Sequence, residues 1–107
     1  MAHSWASLTP QRRQFVRELQ RINFGRLEAL HVRDGQPVLS PSPGIVREHK
    51  FAGENGPRPE LHSMDFSLKQ QVVELFAFFD ELQNGIIDVL EIKHGLPFRM
   101  IVTEVPA

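Results

Sequence analysis

A transition-metal site needs imidazoles, carboxylates or thiolates at spacings that bring them onto one ion, such as two histidines one helical turn apart. The five histidines of this chain, His3, His31, His49, His62 and His94, include no such pair, no His-Glu-x-x-His run occurs, and there is no cysteine. They read as isolated surface or strand-end side chains, so no metal and no cofactor is expected. Nucleophiles are equally sparse: Ser7, Ser40, Ser42, Ser63 and Ser67 stand outside any Gly-x-Ser-x-Gly elbow. Gly53-Glu54-Asn55-Gly56 lacks the Gly-Lys-Ser/Thr with which a glycine loop cradles phosphate. No catalytic residue is assigned, and a non-enzymatic protein is the expectation.

Three constellations could still act. Glu28 and Asp88 fall at matching places in an internal repeat, and a carboxylate pair related by a twofold arrangement could do acid–base work. With no partner group in view, each reads as a solvent-facing or cross-strand paired side chain. Arg13, Arg17 and Arg21 stand four apart, with Arg12 nearby, and would form a basic stripe on a helix. Such a stripe can contact phosphates, so nucleic-acid binding through it is one alternative function. His49 and Arg58 flank a loop-like connector, where small-molecule binding or catalysis is the other alternative.

Composition bounds the rest. At 107 residues the chain is read as a single domain, 1–107, with a modest core. Eight Phe against one Trp and no Tyr make its aromatic content suited to packing more than to polar recognition. The net charge of −1 divides into eight cations against four anions through Lys50 and four against nine from Phe51 onward, consistent with a basic unit packed beside an acidic one. The opening residues carry no charged stretch followed by an apolar run, and no apolar run reaches the roughly 18 residues of a membrane span. No membrane association is expected, and the localisation is read as cytoplasmic.

Elements must position these side chains, and the clearest are in residues 85–105. Two runs rich in β-branched residues, 86–92 and 98–105, are joined by Lys93-His94-Gly95-Leu96-Pro97, which predicts a β-hairpin. Sixty positions earlier Gly25, Leu27, Leu30, Val32, Gly35 and Pro37 match Gly85, Ile87, Leu90, Ile92, Gly95 and Pro97. The hairpin is therefore half of a duplication, with copies at 7–40 and 67–105 and a Pro- and Gly-rich linker at 52–64.

Each copy opens with a helix. Thr9-Pro10 predicts the first start, with Leu8, Phe15, Leu19 and Ile22 on one face. In the second, Ser67 to Gln70 fits a capping box, and Leu68, Val72, Leu75, Phe79 and Leu82 repeat the stripe, with Val72 where the first helix has Arg12. This helix is also apolar at Val73, Phe76, Ala77 and Phe78, as expected of a cylinder buried on more than one side. Asp34-Gly35 predicts a tight turn, after which Ser40-Pro41-Ser42-Pro43-Gly44 should leave the return strand short, bent or at an edge, with a strand resuming over 45–51. In the second hairpin one face is read as Ile86, Asp88, Leu90 and Ile92, the other as Ile87 and Val89.

With the helix, the Phe24-Gly25 opening and the Asp34-Gly35-Gln36-Pro37-Val38 turn in place, residues 15–39 resemble the YezD-like family of small bacterial proteins. That family is similar in having a short helix, an aromatic-Gly start, an alternating strand, an Asp/Asn-Gly turn and a return strand. The second copy repeats the pattern more loosely, with Asn84-Gly85 and His94-Gly95. The resemblance implies a fold and a bacterial setting; the family is functionally uncharacterised, so it transfers no active site. The duplication and the insertion at 40–64 depart from it.

The expected fold is α+β: two helix–β-hairpin repeats forming one antiparallel sheet with both helices on one face. The uncovered sheet face and the surplus apolar residues of the second copy imply self-association, and Phe76, Phe78, Ile87, Val89 and Ile101 are the candidate interface. The leading functional expectation is an interaction or regulatory module that forms a homodimer, with a further protein partner allowed.

Overall fold

The structure is a computed structural model and describes residues 5–49, 51 and 69–103. A 3-10 turn, Trp5–Ser7, leads into α1, Pro10–Ile22, followed by β1, Gly25–Arg33, β2, Gln36–Val38, and β3, Gly44–Arg47. The second half supplies α2, Gln70–Leu82, β4, Gly85–Lys93, and β5, Leu96–Ile101. Helices and long strands recur at the same offset as the sequence repeat.

Local chemistry sets the helix ends. Thr9 Oγ1 accepts the Arg12 N–H at 3.1 Å and donates to Gln36 Oε1 at 2.8 Å, so the first cap also ties the helix to β2. The second start differs from the expected capping box: the N-cap is Lys69, whose side chain makes no cap bond. Ser67 and Leu68 lie outside the described residues, and the buried stripe of α2 begins at Val72. Both helices end on a residue with positive φ, Asn23 at φ 66° and Gln83 at φ 61°, whose N–H closes the last turn and which centres a γ-turn to the next residue.

β1 and β4 pair antiparallel at the centre of the sheet, with Leu27 opposite Leu90 and Leu30 opposite Ile87. Since Leu27 corresponds to Ile87 and Leu30 to Leu90, this pairing maps each copy onto the other about a local twofold axis. Gly25 opposite Ile92 and Gly85 opposite Val32 obey the same relation. β5 flanks β4, while β2 and β3 share the outer side of β1, giving the order β2-β1-β4-β5 with β3 beside β2. The interrupting prolines thus split one return strand into pieces of three and four residues along a single edge. Gly25 is required there, because a Cβ would stand 2.0 Å from the Val46 carbonyl oxygen.

The turns lock the copies further. Asp34-Gly35 and His94-Gly95 both have positive φ at their two central residues, as a two-residue hairpin turn demands. The Gly35 N–H donates to the Gln83 carbonyl at 2.8 Å, and the Gly95 N–H donates to the Asn23 carbonyl at 2.9 Å. Each hairpin tip therefore closes the helix end of the opposite copy.

One core results. Phe15, Val16, Leu19 and Ile22 of α1 and Val72, Leu75, Phe76 and Phe79 of α2 meet Leu27, Leu30, Val32, Ile87, Leu90 and Ile92 from the sheet. Phe15 stands edge-on to Phe79 with ring centroids 5.9 Å apart, and Phe76 lies 5.7 Å from Phe79. Two expectations need correction here. Phe76 and Ile87, expected at an outer interface, are 4% and 0% exposed within the chain's own core. Ile86, expected to share a face with Leu90, is instead 46% exposed.

The cause of the second correction is a break in alternation. The ladder passes from Glu28 opposite Val89 directly to Leu30 opposite Ile87, and Ala29 between them has φ 56°. This skips one pleat, so the inward residues run 27, 30, 32 and 87, 90, 92. A side chain at this φ is strained, and more so when β-branched. Ala29→Val should therefore lower stability by about 1–3 kcal/mol despite the strand preference of valine, while Ala29→Gly should match or exceed the parent. Urea unfolding midpoints of the three proteins test this, and a valine variant as stable as the parent would contradict it.

Candidate functional site

Each arginine of the α1 stripe is engaged within the chain. Arg13 Nε donates to the Leu8 carbonyl at 3.1 Å, and the Arg17 guanidinium lies 5.0 Å from the Trp5 ring centroid. Arg21 forks onto Glu18 at 3.0 and 2.6 Å. Its hydrogen bonds hold the Glu18 carboxyl below the usual carboxylate range, against some burial, with Arg47 adding to the effect. Arg12 explains the one polar position on the inward stripe. Its guanidinium donates to the Gly35 carbonyl at 2.9 Å and to Asp80 Oδ1, and stands 4.9 Å from the Phe76 ring centroid, bridging the two copies.

The remaining candidates are dispersed. His49 is exposed beyond β3, and Arg58 and His62 lie outside the described residues. His31 is exposed on β1, and His94 meets the Phe24 ring edge-on at 4.9 Å. Glu28 pairs with Arg26 at 2.8 Å, while Asp88 Oδ2 accepts the Thr103 N–H at 2.7 Å. The two carboxylates thus have separate partners. Among the described residues no group of three or more His, Cys, Asp or Glu could hold a metal ion.

Of the interface candidates, Val89 is half-buried and Ile101 is exposed; they stand opposite one another on the sheet face away from the helices. That face is mixed, since Arg26, Glu28, His31, Glu91 and Arg99 share it. Phe78 packs partly against the core from the far side of α2.

Phe78 belongs to a feature that the sequence reading did not locate, a groove of about 300 Å³ between α2 and β5. Leu75, Phe78, Leu90, Pro97, Phe98 and Met100 give it an apolar lining, and the exposed Gln71 and Glu74 of α2 stand beside them. Arg99 pairs with Glu91 at 2.8 Å, Glu74 accepts from Gln70 at 2.9 Å, and the Lys93 ammonium lies 4.3 Å from the Phe98 ring centroid. The described lining is mainly apolar. At the matching edge of the first copy Glu18 stands for Phe78 and Ser40 for Met100. Aligning the copies side chain by side chain would have exposed this difference.

An α+β scaffold of two helix–hairpin copies in one sheet, carrying an apolar groove at one edge, is the class of protein that these observations define. No family model, no curated protein and no solved structure matches the chain. Among the described residues no helix is long and apolar enough to cross a membrane.

The ion pairs generate a pH prediction. Arg99 holds Glu91 low through its hydrogen bond, helped by Lys93 and Arg26, as Arg21 does for Glu18. A carboxyl whose folded pKa is depressed contributes stability above its unfolded pKa and loses it as pH falls through the folded value. Both pairs are largely solvated, so the effect is small. Stability should decline from about pH 5 downward, and the Glu18→Gln, Glu91→Gln double variant should decline less steeply. Urea midpoints between neutral pH and about pH 3 read this out; parallel curves for variant and parent would refute it.

Proposed function

We propose that this protein is a non-enzymatic interaction or regulatory module that works as a homodimer in the bacterial cytoplasm. The likeness of residues 15–39 to the YezD-like family is part of this proposal and supports the bacterial setting.

The observation that carries it is the apolar surface exposed on the second hairpin among the described residues. Ile86, Phe98 and Ile101 are 46, 55 and 49% exposed, on the same hairpin that forms one wall of the apolar groove. Apolar surface favours association at about 25 cal/mol per Å² removed from water, and a stable contact typically covers about 800 Å² on each partner. A second copy is always available at the protein's own concentration and brings the same surface.

Sedimentation velocity over a wide concentration series tests the proposal. The weight-average mass should rise from that of one chain to that of two as concentration increases. A single-chain mass at the highest attainable concentration would overturn it.

A further inference from the structure

We draw no further inference here: the strongest candidate, the apolar groove between α2 and β5 with the free edge of β5 beside it, carries nothing because nothing in the structure shows what covers it.

Discussion

The pairing of β1 with β4 is the constraint on which the structure depends. Neither helix–hairpin copy has enough apolar surface to enclose a core alone, and joining them along their long strands gives both helices a common floor. The antiparallel register sets Leu27 and Leu30 against Leu90 and Ile87, so the inward side chains of each copy meet those of the other. The exchanged bonds from Gly35 to Gln83 and from Gly95 to Asn23 then anchor each hairpin tip to the opposite helix end. These two contacts satisfy helix carbonyls that would otherwise need solvent or a separate cap.

A symmetric frame makes departures from symmetry informative. Arg12 replaces the valine of the second copy, and its guanidinium spans Gly35, Asp80 and Phe76, converting an inward cation into a bridge between copies. The Asp34 N–H donates to Asn84 Oδ1, whereas the equivalent contact on the other side is the edge-on meeting of Phe24 and His94. The frame therefore tolerates different chemistry at related places so long as the strand register and the turn-to-helix bonds persist. The same tolerance lets one edge be cut by prolines while the other runs six residues without interruption.

That division of labour fits a duplicated scaffold. A single unit paired with an identical unit would have two equivalent edges, and any surface feature would occur twice. Fusing the copies in one chain allows Phe78 and Met100 to stand at one edge where the other has Glu18 and Ser40.

Much of this architecture was legible in the amino-acid sequence. The sixty-residue repeat, the Asp34-Gly35 and His94-Gly95 turns, the Thr9-Pro10 helix start and the Pro41/Pro43 interruption all depend on local backbone preferences, which act over a few residues. The facing of β4 was not legible: strict alternation put Ile86 inward and Ile87 outward, and only the left-handed Ala29 opposite Asp88 reverses them. Phe76 likewise read as surplus until Phe15 and Arg12 from the other copy covered it. The α2–β5 groove was hidden for the same reason, since its walls come from elements about twenty residues apart that meet only once the sheet is assembled. Local propensity is written in each segment, whereas burial is a property of the pair, and tertiary packing alone decides which apolar side chains stay exposed.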